Sequence, residues 1–183
     1  TQHGPAAFSV ITEGDLHPAT LDLGSFLAWT REPGPSSWVH ASTLDGRRFD
    51  ELARAAGLSD HDLERMLGED GHGKVLERAR CAALVLQLPT VPEAGFPEVR
   101  WDRLVTLITN RGLLTAMTGS LELQKSVDLE GAAFTTLSFH ARLMCALLSF
   151  VRDRYRFIAQ RFDDEARRLE AHEEGNDLLR GTF

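Results

Sequence analysis

The pattern of apolar and polar residues predicts strands and helices in alternation over the first third of the chain. A β-like run from Ala6 to Thr12 leads, through a turn cluster rich in Pro, Gly and Ser, to a short strand at Trp38-Val39-His40. Helical spacing then predicts one helix over 46–56 and a second that begins at Ser59 and stops at Gly68. Asp62, three residues after Ser59, completes a capping-box-like start for the second helix.

The middle of the chain has the composition of a sheet. Three segments, Arg80–Leu88, Trp101–Thr109 and Leu113–Thr118, are predicted strands, and Asn110-Arg111-Gly112 joins the last two in a hairpin. The connection from Pro89 to Pro97 holds three prolines and one glycine, which predicts a surface loop. The segments together predict an antiparallel or mixed sheet that ends near Gly119.

A long helix is predicted after the sheet, because neither Gly nor Pro occurs from Ala132 to Glu174. Apolar positions recur there every three or four residues and form a heptad seam: Phe134, Leu137, Ala141, Met144, Leu148, Val151, Tyr155, Ile158, Phe162, Glu165 and Leu169. Leu143, Leu147 and Phe150 widen the apolar face of the first half, which we expect to pack on the domain. About 40 helical residues span roughly 60 Å, so the far end needs another helix. We therefore divide the chain into an α/β domain, 1–131, and a helical part, 132–183.

Bulk composition narrows the class of protein. The 183 residues carry a formal charge of -7, which disfavours nucleic acid because phosphate binding requires a basic surface. No apolar run reaches the roughly 18 residues of a membrane helix, and the first residues lack the features of a secretion signal. Cys81 and Cys145 lie in apolar segments without a metal-binding spacing, so we expect buried thiols.

Motifs of catalysis are missing from the sequence. The string from Gly68 to Lys74 meets the G-x-x-x-x-G-K pattern, but Val75 stands where a P-loop requires a hydroxyl for magnesium. The string also follows a predicted helix and precedes a predicted strand. A P-loop has the reverse order, strand then loop then helix, so that the amides at the start of the helix point at the phosphate. No G-x-S-x-G or H-E-x-x-H motif occurs. We therefore predict a non-catalytic protein.

Acidic side chains are the candidates for a metal site, because hard divalent cations prefer carboxylate oxygens. The candidate ligands are Glu69, Asp70, His72, Asp163, Asp164, Glu173 and Glu174. His72 beside Asp70 suits zinc better than magnesium. The alternative is a solvated acidic face, in which Asp163 and Asp164 form ion pairs with Arg167 and Arg168 one turn further on.

The order of these segments resembles the cytoplasmic domain of the CorA family of divalent-cation transporters, which includes the zinc-transporting ZntB branch. Four stretches carry the resemblance. The first is Trp38-Val39-His40, followed by Phe49–Leu52 and by Leu58 through Leu63-Glu64. The others are Lys74–Glu77 before Ala82–Leu86, the hairpin Leu107–Thr115, and Leu147–Glu170. The chain departs from the family pattern at two places: His72-Gly73 stands where Arg-Pro is usual, and Arg65 where a carboxylate commonly follows Glu64.

The resemblance implies an α/β/α layered domain with a central mixed or antiparallel sheet, ending in a long helix that leads toward a stalk. It implies a homopentamer at the cytoplasmic face of the cell membrane. It also implies that the membrane helices lie beyond Phe183, because the family's Gly-Met-Asn filter motif does not occur in these residues. It further implies weak, regulatory Mg²⁺ binding at subunit interfaces, with Co²⁺, Ni²⁺ or Zn²⁺ as alternative ions. The competing hypothesis is a coiled-coil adaptor or scaffold with no role for metal.

Overall fold

The computed structural model describes residues 8–31, 34–41, 54, 57–67, 75–78, 81–91, 98–117, 123–130 and 136–180. In that part of the chain, helices occur among the first strands and again after the last strand. The strands are β1 (Phe8–Thr12), β2 (Asp15–Leu21), β3 (Ser37–Ala41), β4 (Val75–Glu77), β5 (Cys81–Thr90), β6 (Arg100–Thr109) and β7 (Gly112–Met117). The helices are α1 (Leu23–Arg31), α2 (Asp60–Leu67), α3 (Leu123–Ser126) and α4 (Phe139–Arg180).

The strands form one mixed sheet in the order β2-β1-β3-β7-β6-β5-β4. Neighbouring strands run antiparallel except β3 and β7, which pair in parallel with Trp38 opposite Leu113. The predicted strand at Trp38-Val39-His40 and the predicted β6–β7 hairpin are therefore confirmed.

Each face of the sheet carries its own hydrophobic core, which makes the domain an α/β/α sandwich. On one face Phe26 of α1 and Leu63 of α2 belong to a cluster with Val39, Val85 and Leu114 of the strands. On the other face, α3 and α4 cover Trp38, Leu88, Leu104 and Leu113 with buried residues that include Leu123, Leu143 and Leu147. Alternate residues of the central strands thus serve opposite cores, and the layered fold expected from the sequence is confirmed.

The turn between β6 and β7 requires glycine at its last position. Gly112 has a φ of 137°, and a Cβ added there would lie 1.8 Å from the carbonyl oxygen of Ser37. The close approach arises because the Ser37 amide donates a hydrogen bond to the Arg111 carbonyl, 2.9 Å away, where β3 begins beside the hairpin. Gly112 therefore lets the parallel β3–β7 pair start without a steric clash.

The start of α2 confirms the predicted capping box. The backbone amide and the hydroxyl of Ser59 donate to the Asp62 carboxylate at 3.1 and 2.8 Å, and the Asp62 amide lies 3.2 Å from the Ser59 hydroxyl. Arg78, just after β4, forms a two-pronged salt bridge with the same carboxylate. Asp62 consequently caps the helix and ties it to the edge of the sheet.

The long helix exists, but its predicted bounds are wrong at both ends. It begins at Phe139 rather than Ala132, because Ser138 caps it: the Ala141 amide donates to the Ser138 hydroxyl at 3.5 Å. At the other end it continues through Gly175 to Arg180. A single glycine costs a helix only about 1 kcal/mol, which is too little to force a stop there.

The face of α4 that packs on the sheet combines the second predicted stripe with part of the predicted seam. Leu143 and Leu147 of the stripe are buried, and so are Val151 and Ile158 of the seam. Leu148, also of the seam, is exposed, so the seam does not pack on the sheet along its whole length.

Strand β1 lies within the predicted β-like run, whereas four further elements were not predicted: β2, α1, the edge strand β4 and the short helix α3. Strand β5 extends to Thr90, so Pro89 lies in a strand opposite Trp101 rather than in a surface loop. Proline is tolerated there because β4 pairs with β5 only as far as Leu84. No described strand therefore lies beside Pro89 on that edge, where the backbone N–H that proline lacks would be needed for a hydrogen bond. The predicted helix over 46–56 lies outside the described residues except for Arg54, which is helical.

Candidate functional site

The structure places the predicted metal ligands unevenly. Glu69, Asp70 and His72 lie outside the described residues, and the same holds for the side chains of Glu173 and Glu174, although both residues belong to α4. Asp163 and Asp164 are described and exposed, in the part of α4 that follows Ile158, the last buried residue among its described side chains. Nearby, Arg168 lies 3.6 Å from Glu165.

Within the described ranges, no group of three or more His, Cys, Asp or Glu side chains could hold a metal ion. Asp163 and Asp164 are adjacent, so they point roughly 100° apart around the helix and offer separate carboxylates. Magnesium keeps several waters and commonly uses one or two protein carboxylates. The described part of α4 by itself therefore offers two separate carboxylates and no complete ion site.

An exposed apolar stripe runs along α4. Leu148, Tyr155, Phe162 and Leu169 recur every seven residues and are 45%, 44%, 48% and 61% exposed. A seven-residue repeat of this kind winds slowly around a straight helix and matches a partner helix in a left-handed supercoil. These four residues are called the exposed stripe below.

Near the point where α4 leaves the sheet, an aromatic pair joins the helix to the strands. The Tyr155 hydroxyl donates a hydrogen bond of 2.8 Å to the Gln87 carbonyl of β5, and its ring lies 6.1 Å from that of Trp101 on β6. Trp101 is itself 54% exposed. From Ala159 to Arg180 the helix rises roughly 33 Å, and its described side chains are exposed except that of Glu165, as expected of a half that projects from the domain.

A buried polar group lies beneath the helices, around the start of the parallel strand pair. Trp38 Nε1 donates to the Thr115 hydroxyl at 2.8 Å, and the same hydroxyl lies 3.0 Å from Nδ1 of His40. Gln124 of α3 donates to the Trp38 carbonyl at 2.9 Å. His40 is 3% exposed, and burial lowers its pKa to about 4 despite the neighbouring Thr115. His40 is therefore a neutral core residue at physiological pH.

The Asp62–Arg78 pair is structural in character. Arg78 holds the pKa of the Asp62 carboxyl well below its usual range, with the Ser59 hydrogen bonds acting in the same direction. Cys81 follows nearby, and burial, reinforced by the Asp62 charge, raises the pKa of its thiol. A protonated thiol is a poor nucleophile and a poor metal ligand, so this corner supplies no reactive group.

A shallow cleft of about 400 Å³ opens beside α1. Its walls are mainly apolar, and the Arg111 guanidinium enters it while donating to the Trp29 carbonyl and lying 5.3 Å over the Trp29 ring. Its lining residues include the hydroxyls of Thr12, Ser25 and Ser37, but no His, Asp, Glu or Cys that could activate one of them.

The features together define a class: an α/β/α domain with a mixed seven-stranded sheet and a long projecting helix. No sequence profile of a known family and no curated protein sequence matches the chain. No helix in the described part of the chain is long and apolar enough to cross a membrane.

Solved structures identify the fold. The chain superposes on the full-length CmaX protein with a TM-score of 0.66 at 16% identity, over 93% of this chain and 53% of that one. It superposes on the soluble domain of CorA from Methanocaldococcus jannaschii with a TM-score of 0.62 at 19% identity, over 93% and 66%. For the ZntB cytoplasmic domain from Vibrio parahaemolyticus RIMD 2210633 the TM-score is 0.62 at 10% identity, over 88% and 64%.

The fold is that of the CorA soluble domain, as the sequence resemblance implied. At identities of 10 to 19% the likeness establishes the fold alone. The chain spans between about half and two thirds of the length of these structures.

Sequence reasoning did not single out three of the polar features described above: the His40–Thr115 contact, Arg78 at the Asp62 carboxylate, and Arg111 over Trp29. Each joins residues that are distant along the chain, up to 82 positions apart in the last case. The alternation of strand residues could have placed His40 and Trp38 on one face, because residues two apart in a strand point the same way.

Proposed function

We propose that this chain is the cytoplasmic regulatory and assembly domain of a CorA-like transporter of divalent cations, whose pore lies outside the chain. The observation that carries the proposal is the superposition of 93% of the chain on the soluble domain of CorA. The projecting half of α4 supports it, because a helix that leaves its domain with an exposed apolar stripe is suited to a larger helical assembly.

The proposed mechanism is linkage rather than catalysis. Divalent ions, Mg²⁺ first, bind carboxylates where subunits meet and favour the closed state of the pore, so that the ion's own concentration shifts the population of channels. Asp163 and Asp164 are our candidates for this role, and their exposure on the projecting half of α4 supports the choice. Coupling of this kind is typically on the order of 1 to 3 kcal/mol between sites.

The decisive experiment uses the complete protein. Its reading frame should continue beyond Phe183 into two hydrophobic segments, and the protein reconstituted in liposomes should carry Mg²⁺ down a gradient. The double variant Asp163→Asn/Asp164→Asn should transport Mg²⁺ but lose inhibition by millimolar Mg²⁺ on the cytoplasmic side. Glu98→Gln, which neutralises an exposed acid near β6 instead, is the matched control and should keep the inhibition.

Two outcomes contradict the proposal at different levels. Absence of hydrophobic segments, or of ion flux, rejects the transporter and favours the coiled-coil scaffold, for which the exposed stripe alone is sufficient. Flux with inhibition unchanged in the double variant keeps the transporter and rejects these two aspartates as the sensor.

A further inference from the structure

The cleft beside α1 combines apolar walls with one cationic side chain. Its lining comes from Ala28 and Trp29 of α1, from Val10 and Leu21 of the first two strands, and from Arg111 in the β6–β7 turn. Its volume of about 400 Å³ lies within the range of small-molecule sites, about 300 to 1,000 Å³. The cleft is therefore large enough for a small organic molecule.

The position of the Arg111 guanidinium is fixed by its neighbours. The Arg111 amide donates to the Thr109 hydroxyl at 3.2 Å, and its carbonyl accepts from the Ser37 amide at 2.9 Å. The guanidinium itself donates to the Trp29 carbonyl and lies over the Trp29 ring. Gly34 leaves room for it, because a Cβ there would collide with Nη2 of Arg111. A bound anion therefore finds the charge already in place, which reduces the entropy lost on binding.

The composition of the cleft selects the kind of anion. Arg111 is the charged residue among its described lining residues, and the carbonyl and ring of Trp29 beside it are both neutral. A guanidinium matches a carboxylate in shape and in the direction of its donors. A phosphate dianion fits this environment poorly, since apolar walls would strip water from a second charge without replacing it. A monoanion with an apolar body suits both the charge and the walls.

We propose that the cleft binds a small monocarboxylate with an apolar body. The carboxylate pairs with Arg111, and the body packs against Val10, Leu21 and Ala28. The site belongs to the face of the sheet opposite α4, because Val10, Leu21 and Trp29 pack against the core cluster that contains Phe26 of α1. It is therefore separate from the carboxylates of α4, and it does not depend on the transport role proposed above.

A purely structural role of Arg111 is the competing explanation. Helix α1 ends at Arg31, so a cation at the Trp29 carbonyl stabilises the C-terminal end of the helix through its dipole. That role accounts for the contact between Arg111 and Trp29 but gives the cleft no ligand. The two explanations differ in whether a carboxylate binds.

Titration of the ¹⁵N-labelled chain with hexanoate, up to about 20 mM at constant ionic strength, tests the site by NMR. The indole N–H signal of Trp29, whose Nε1 donates to the Ser37 hydroxyl, should shift to saturation with a dissociation constant on the order of millimolar or tighter. The indole signal of Trp38 is the internal control and should not move, because that ring lies in the other core and is bonded to Thr115. Absence of a saturable Trp29 shift over this range overturns the proposal.

Two further ligands test the chemistry of recognition. Hexanamide, the neutral counterpart of hexanoate, should bind at least about tenfold more weakly, because it lacks the charge that pairs with Arg111. Sulfate should leave the Trp29 signal in place at the same concentrations, because it lacks the apolar body. Equal affinity for hexanamide rejects the role of the charge, and sulfate binding as tight as that of hexanoate rejects the role of the apolar walls.

Removal of the charge is the first test by substitution. Arg111→Gln should weaken hexanoate binding at least about tenfold and change hexanamide binding by less than about twofold. Arg100→Gln, which neutralises an exposed arginine at the start of β6, is the matched control and should bind hexanoate as the unaltered chain does.

Filling the cleft is the second test, and it keeps the contact between Arg111 and Trp29 that Arg111→Gln removes. Ala28→Leu places a good helix former on α1 and occupies the space of the ligand body, so binding of hexanoate and hexanamide should both be lost. Ala166→Leu, the same change at an exposed position of α4, should leave binding unchanged. Hexanoate binding that survives Ala28→Leu undiminished overturns the proposal.

Discussion

Protonation of His40 offers a sharp test of the packing between the sheet and the helices. Its ring is 3% exposed, Nδ1 lies at hydrogen-bonding distance from Thr115, and Nε2 is buried without a hydrogen bond to any described residue. Burial lowers the pKa to about 4, compared with about 6.5 in an unfolded chain. The charged form is therefore disfavoured in the folded protein.

The sign of the pH dependence follows directly. Above pH 6.5 His40 is neutral in both states, so its titration costs no stability. As the pH falls from 6.5 to 4, the unfolded chain binds a proton that the folded chain does not, and the free energy of unfolding decreases. The 2.5-unit difference between 6.5 and about 4 predicts a loss of about 2 kcal/mol at pH 5 and about 3 kcal/mol at pH 4.

Urea unfolding at half-unit pH steps between 4 and 7.5 measures this loss. His40→Gln, which cannot be charged, should be less stable at pH 7 because packing is disturbed, but its stability should be nearly flat from pH 6.5 to 5. Direct titration of the His40 ring by NMR should show a midpoint near 4. A midpoint near 6.5, or an unchanged slope in the variant, would refute the argument, because either result means that the ring is hydrated in the folded state.

The remaining predictions concern the turn, the cap, the metal and nucleotides. Gly112→Ala should lower the free energy of unfolding by at least about 3 kcal/mol in urea melts, because its Cβ would clash with Ser37, and soluble protein of wild-type stability would contradict the geometry. Ser59→Ala should cost about 1 kcal/mol through loss of the capping box, whereas Ser59→Thr should retain most of it. Magnesium should bind the isolated chain with a dissociation constant on the order of millimolar or weaker and should raise the melting temperature by about a degree. Neutral isosteres at Asp163, Asp164, Glu173 and Glu174 should abolish this shift. If the shift is unchanged in that variant, the acids form a solvated face. If zinc stabilises strongly and His72→Ala removes the effect, the zinc branch replaces the magnesium assignment. Calorimetry with ATP should show no binding, since Val75 cannot ligate magnesium, and measurable heat of binding would count against a non-catalytic domain.

The sequence predicted best those elements whose signal is local. The capping box at Ser59 and Asp62, the β6–β7 hairpin and the strand around Val39 depend on neighbouring residues and on composition, and all three are found. The bounds of α4 were less predictable. Its start depends on one capping serine, Ser138, and its end on whether a single glycine suffices to stop a long helix.

Contacts between distant residues could not be predicted from local patterns. The seam through Leu148 and the stripe through Leu147 are both apolar and lie on adjacent faces, so the sequence alone does not say how much of each packs on the sheet. The same limit applies to the candidate site. Carboxylates on an exposed helix carry the same sequence signature whether they bind an ion between subunits or only water.

The parallel pairing of β3 with β7 has a consequence for how the chain folds. Strands β5, β6 and β7 follow one another closely and can pair as soon as they are made, and β1, β2 and β3 are likewise close in sequence. The two groups join only when β3 meets β7, with Trp38 opposite Leu113. Closing so long a loop is slow compared with hairpin formation. During synthesis, therefore, one edge of β3 stays open until β7 has left the ribosome, and a chain truncated before Met117 keeps an unpaired strand edge available for aggregation.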